Sequence, residues 1–98
     1  MEREGPYMIR LCSDRAAYEA VPRKRAKVKI MSLKRSLQVR GDSEITLCTP
    51  QFMVVKRQDN IEVTIVDDGR MIIRNVSSKE EARRIAEMML PDEALTGR

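Results

Sequence analysis

Residues 61–90, IEVTIVDDGRMIIRNVSSKEEARRIAEMML, change their hydrophobic period once, and where they change it decides the fold. Ile61, Val63 and Ile65 alternate with Glu62 and Thr64, the spacing of a strand with one buried face. Asp67-Asp68-Gly69 then interrupts the run. An Asp-Gly pair between two apolar runs predicts a hairpin turn of type I′, whose central residues need positive φ. Residues 70–74 return as the partner strand. Turn chemistry accounts for both aspartates, so they are not read as a catalytic pair. From Ser77 the period becomes helical. Ala82, Ile85, Ala86 and Met89 form one apolar stripe, with Arg83, Arg84 and Glu87 outside it. Ser77 and Ser78 each have a glutamate three residues on, the spacing of a capping box, and those acids suit the positive end of the helix. Pro91 stops the helix.

Upstream, residues 7–12 read as a short strand. Ser13 and Asp14 can cap a helix through Val21, with Ala16, Ala17, Ala20 and Val21 on its inner face and Pro22 ending it. Residues 26–30, 37–40 and 44–48 alternate apolar and polar side chains, with Gly41-Asp42-Ser43 as a turn. Pro50 precedes a further strand at 52–56, and Gln58-Asp59-Asn60 makes the next turn. The expected order is β-α-β-β-β-β-β-β-α. That pattern predicts an α+β two-layer sandwich: an antiparallel-rich sheet of six or seven strands, with both helices on one face. Ile9, Leu11, Val28, Ile30, Leu37, Val39, Ile45, Leu47, Ile61, Val63, Ile65, Met71 and Ile73 would face the helices. Arg10, Lys27, Lys29, Gln38, Arg40, Thr46, Thr64, Arg70 and Arg74 would face away, with Glu44 and Glu62 as acidic exceptions.

A chain of 98 residues holds one core, so residues 1–98 are read as a single domain with loose ends at 1–5 and 92–98. The first six residues contain no apolar run and no stretch approaches the ~20 residues of a membrane helix, which predicts a soluble cytoplasmic protein. Histidine is absent and Cys12 and Cys48 are 36 positions apart. Four close zinc ligands cannot be assembled, and the expected state is two free thiols with no metal and no cofactor.

Residues 64–78, TIVDDGRMIIRNVSS, resemble the repeat signature of the TATA-box-binding protein family, in which a strand, a glycine turn, a second strand and a helix follow in this order. The chain is also similar to a small group of uncharacterised archaeal two-layer α/β sandwich proteins. The first resemblance implies one half of that family's fold. The family's wedge phenylalanine falls on Val66, its groove-contacting threonine on Arg74 and the following glycine on Asn75. Valine is too small to hold open a base step, so the resemblance implies no TATA-type kinking by a single chain.

Charge is distributed unevenly. Of 19 lysines and arginines, eight lie in residues 21–40, where there is no acid, and the rest of the chain is net acidic. Arg23, Lys24 and Arg25 precede the predicted strand at 26–30. Lys27, Lys29 and Arg40 are expected on one outward sheet face, a few ångströms apart, with Lys34, Arg35 and Arg74 extending the basic surface. Three functions compete. The first is a non-catalytic module, a monomer, binding a protein or a small anionic ligand through the exposed sheet face. The second is non-specific nucleic-acid binding through residues 23–40. With only Tyr7, Tyr18 and Phe52 as aromatics, base stacking on the sheet is not expected. The third is a cysteine-dependent enzyme, with outward-facing Cys12 or Cys48 activated by nearby lysines. The lack of histidine and of a glycine-rich phosphate loop points away from it, and no catalytic residue is assigned.

Overall fold

The computed structural model describes residues 5–12, 17–41 and 43–91. Its elements are β1 (Tyr7–Leu11), β2 (Ala17–Pro22), α1 (Ile30–Arg40), β3 (Ser43–Cys48), β4 (Phe52–Arg57), β5 (Glu62–Val66), β6 (Met71–Arg74) and α2 (Lys79–Met89). The class is the expected one, α+β, with one six-stranded antiparallel sheet and two helices. The order is β-β-α-β-β-β-β-α, because helix and strand have changed places in the first half.

Residues 17–21, expected in a helix, belong to β2, which is hydrogen-bonded on both sides, to β1 and to β6. Helix propensity is a weak prior, and a slot between two strands overrides it. The alanines suit this position because α2 packs over β1, β2 and β6, and Ala20 leaves room for it. The predicted caps Ser13 and Asp14, together with Ala16, lie outside the described residues, as do 1–4 and 92–98.

Residues 30–40, expected to close one strand and form another, make α1. Ile30, Leu33 and Leu37 recur at the i, i+3, i+7 spacing of one helix face; Ile30 and Leu37 are buried and Leu33 packs against them. Val39, two residues beyond buried Leu37, is 82% exposed, as a helix requires and a strand would not allow. Gly41 ends α1 in the left-handed conformation (φ 74°) and donates its N–H to the Leu37 carbonyl at 3.1 Å. Residues 26–29 form no strand.

The strand order is β1-β2-β6-β5-β4-β3. α1 carries the chain from β2 to the far edge of the sheet, and β3 to β6 meander back. The β5–β6 connection is not type I′: among residues 67–69 only Gly69 has positive φ (91°). Gly69 N–H donates to the Val66 carbonyl and Val66 N–H to the Arg70 carbonyl, a tight turn followed by a glycine bulge. The second aspartate lengthens the loop by one residue and selects this form. Asn60 (φ 69°) plays the glycine's part in the β4–β5 turn.

One sheet face is largely buried across the five strands β1, β2, β6, β5 and β4, except at Leu11, where β1 ends. Ile9, Ala20, Met71, Ile65 and Met53 follow one another across five strands in a single row. Val63, Ile73 and Val55 form the next. α2 covers the β1–β2–β6 side and α1 the β3–β4 side, and both join one core, so the expected placement of the helices on one face is found. Ala82, Ile85, Ala86 and Met89 are buried as expected. Tyr7 donates its hydroxyl to the Leu90 carbonyl at 2.6 Å, closing the end of α2 onto β1. Leu11 and Leu47, expected inside, are 65% and 49% exposed. Leu11 ends an edge strand, and a bulge between Ile45 and Leu47 turns Leu47 to the open face. No helix among the described residues is long and apolar enough to cross a membrane.

Candidate nucleic-acid interface

Seven residues join β2 to α1, and the core fixes both ends of this loop. Pro22 cannot extend the ladder. Arg23 N–H then donates to the Pro6 carbonyl at 2.9 Å and its Nε to the Gly5 carbonyl at 3.1 Å. At the other end Val28 is buried and donates its N–H to the Asp67 carbonyl at 2.8 Å, in the β5–β6 turn. Between these anchors Lys24, Arg25, Lys27 and Lys29 are exposed. The loop thus presents cations on a backbone that is held in place.

Arg23, Lys24 and Arg25 line a shallow cleft of about 330 Å³ with Val21, Pro22, Ala26, Asp68 and Arg70. Arg70 donates its Nε to Asp68 at 2.8 Å and stands 3.8 Å from Glu19. Asp68 also accepts the Arg70 backbone N–H at 3.1 Å. Arg70 is thus paired with both Asp68 and Glu19, and Asp68 forms no ion pair with Lys24 or Arg25. Arg70 was not expected among the site residues. The Asp-Gly turn is visible in the sequence, but its docking against residue 28 is a tertiary contact.

The other expected cations are placed differently. Lys27, Lys29 and Arg40 do not share a strand face: Lys29 precedes α1 and Arg40 ends it, about 16 Å further along the helix axis at 1.5 Å per residue. Lys34 is half-buried and Arg35 exposed. Consecutive helical residues diverge by about 100°, so these two point in different directions. Among the described residues Lys24, Arg25, Lys29, Lys34, Arg35 and Arg40 have no carboxylate within ion-pair distance. Arg10, Arg57 and Arg84 each have one, at 3.0, 3.6 and 4.0 Å, and Arg70 has two, at 2.8 and 3.8 Å.

Arg74 is on the open sheet face, away from this loop. Its cross-strand neighbour is Glu62, then come Lys56 and Glu44, so cations and acids alternate along the row. The expectation of a broadly basic sheet face is thereby corrected, because most of the basic segment is loop and helix and never enters the sheet. A second cleft, of about 360 Å³, is lined by Gly41, Ser43, Glu44, Lys56, Arg57 and Gln58. There Arg57 Nε has no hydrogen-bond acceptor, and Asp59 at 3.6 Å neutralises its charge without bonding it.

Cys12 and Cys48 are both free and half-buried. Cys48 stands across from Met53 on the inner face and packs against the core, which corrects its expected outward position. Its sulfur lies 3.9 Å from Met31 Sδ and 3.9 Å from the Thr49 carbonyl, neither of which is a base. Among the described residues no three cysteines or carboxylates are grouped to hold a metal ion. Of the three aromatic rings, Tyr7 is fully buried, and Tyr18 and Phe52 stand on β2 and β4, so none lines the basic cleft. Compared with family models, curated proteins and solved structures, the chain matches none.

Proposed function

We propose that the chain is a small non-catalytic binding module that takes nucleic-acid backbone on loop 23–29 and the adjoining turns of α1. The supporting observation is that Lys24, Arg25 and Lys29 are exposed and, among the described residues, have no carboxylate within ion-pair distance, on an anchored loop in a segment that contains no acid between residues 20 and 41. Cations left unneutralised at fixed positions suit a partner whose charges repeat along its length. The cleft is open and shallow, which suits an extended phosphate backbone better than a small enclosed anion. The alternating charges around Arg74 give an anionic ligand no net attraction on the sheet face. With no ring at the basic loop there is no stacking platform, so a duplex should bind at least as well as a single strand and sequence should matter little.

Fluorescence anisotropy with a mixed-sequence duplex and a single strand of equal length tests this. Dissociation constants on the order of 10⁻⁴–10⁻⁶ M are expected near physiological salt, weakening steeply as salt rises. Combining Lys24→Gln, Arg25→Gln and Lys29→Gln should weaken binding and flatten the salt slope by about 0.9 for each phosphate that is no longer neutralised. Arg74→Gln should leave both unchanged. Failure to bind at about 50 mM salt, a regime in which such interactions are strong, would overturn the assignment.

A further inference from the structure

The open face of the sheet carries a pattern that the basic loop does not explain. Three rows cross it, fixed by the strand register. One runs Arg74, Glu62, Lys56, Glu44 over β6, β5, β4 and β3. The next runs Ile72, Thr64, Val54, Leu47 over the same strands. In the third, Val66 of β5 stands beside Phe52 of β4. Ile72, Val54, Val66 and Phe52 are only half-buried and Leu47 is 49% exposed, whereas on the opposite face the facing positions of β4, β5 and β6 are buried.

Each row becomes its own complement when reversed. We propose that two copies of this chain pack these faces together about a two-fold axis that runs along the strands between β4 and β5. Such an axis keeps each row at its height and reverses the strand order. Glu62 then meets Lys56 of the second copy, and Arg74 meets Glu44. In the next row Ile72 meets Leu47 and Thr64 meets Val54, and in the third Val66 meets Phe52. Opposite charges face each other, and apolar residues face apolar residues except where Thr64 meets Val54.

The charge row also selects this axis against its neighbours. Moved onto β5, the axis would set Arg74 against Lys56; moved onto β4, it would set Glu62 against Glu44. Like charges in a desolvated contact disfavour both registers. An isologous contact of this kind closes on itself and stops at two copies. The bulge in β3 interrupts one edge of the sheet, which favours association by faces over association by edges. Packed sheets cross at about 30° and lie roughly 10 Å apart, so the pairs nearest the axis, Glu62 with Lys56 and Thr64 with Val54, meet most closely.

The contact is modest in size. Four strands spaced ~4.8 Å apart, each about five residues long, outline roughly 300 Å² per copy, against about 800 Å² for a standard interface. A weak, concentration-dependent dimer follows. A two-fold along the strands also puts both basic loops at the same end of the pair.

Analytical ultracentrifugation of the full chain from about 10 μM to 1 mM tests the proposal. The weight-average mass should rise from 11.3 kDa towards twice that value. Glu62→Lys should hold it at the monomer value, because the new cation would face Lys56 of the other copy. The double reversal Glu62→Lys with Lys56→Glu should restore association. That variant keeps positions 62 and 56 oppositely charged within one copy as well as across the two-fold, and it sets like charges beside Arg74 and beside Glu44. Circular dichroism verifies that both variants fold. A chain that stays monomeric at 1 mM, a Glu62→Lys variant that associates like the parent, or a folded double variant without rescue would each overturn the proposed dimer.

Discussion

The two helices are of equal length and are held in different ways. α2 has a complete N-terminus: Ser78 accepts the Glu81 N–H at 3.1 Å, and Glu81 accepts both the N–H and the hydroxyl of Ser77 at 2.9 Å. Two acids sit in its first turn and four residues are buried. Arg83 also donates to the Tyr7 carbonyl at 3.0 Å, binding α2 to the sheet edge. α1 begins at Lys29, which gives no side-chain cap, has no acid in its first turn and buries two residues. Its C-terminus is the better end, with Gly41 in the left-handed conformation and Arg40 in the last turn. An acid near position 29 would strengthen α1 and remove positive charge from the segment proposed to bind. The helix bearing the cations is therefore stabilised by tertiary anchors in place of local capping.

Core truncations should test this asymmetry most forcefully. Ile85→Ala removes a buried branched side chain from α2 and Ile65→Ala one from the inner face of β5, and each should cost ~2–5 kcal/mol in urea denaturation. Leu37→Ala belongs in the same ~2–5 kcal/mol range, since Leu37 is fully buried, but it removes one of only two buried anchors. Amide hydrogen exchange should therefore show α1 opening ahead of the sheet in this variant. Equal protection loss in both helices would mean that α1 is no more locally dependent than α2.

The same asymmetry explains what the sequence conveyed. From residue 44 onward each element follows from nearest neighbours: alternation sets β3 to β6, asparagine and glycine set the turns, and serine with glutamate sets α2. Between residues 17 and 40 local signals mislead. Ala-Tyr-Glu-Ala has helical composition, but β1 and β6 on either side make it a strand. Lys27-Val28-Lys29-Ile30 alternates, but the period of two ends there, and Ile30, Leu33 and Leu37 followed by Gly41 already spell a helix and its stop. The basic site was legible as charge and not as shape. That the loop docks on Asp67, and that Arg74 belongs to a neutral row, depend on strand order, which no local pattern specifies.

Smaller changes probe the two helix starts. Ser78→Ala should cost about 1 kcal/mol, the usual loss when a side-chain cap is removed. Lys29→Asp supplies α1 with the cap it lacks and should stabilise the fold by up to about 1 kcal/mol. The same substitution should weaken duplex binding, because it replaces a cation of the proposed binding loop with an acid. Thermal melting and anisotropy on one preparation measure the two effects together. Stabilisation without loss of binding would remove residue 29 from the interface.

The smallest effect is a pH dependence confined to α2. Glu81 is held below the ordinary carboxylate range, first by the Ser77 backbone N–H and then by the Ser77 hydroxyl, with attraction from Arg84 added; partial desolvation opposes them. A folded-state pKa below the unfolded one means that the unfolded chain takes up the proton first as pH falls. The stabilising contribution is therefore complete above the ordinary glutamate value, about 4.3, and is lost as pH drops through the lower folded value. Glu81→Gln should melt below the parent at pH 7, and the gap should narrow below about pH 4 as the parent's own carboxylate is neutralised. Glu80 shares the first turn, so Glu80→Gln controls for the general response of an acid at the helix dipole. If the two variants follow the same pH profile, the bonds from Ser77 contribute nothing beyond the dipole. A Glu81→Gln gap that stays constant down to about pH 3, below the ordinary glutamate value, would instead make the effect one of shape, and α2 would differ from α1 in packing alone.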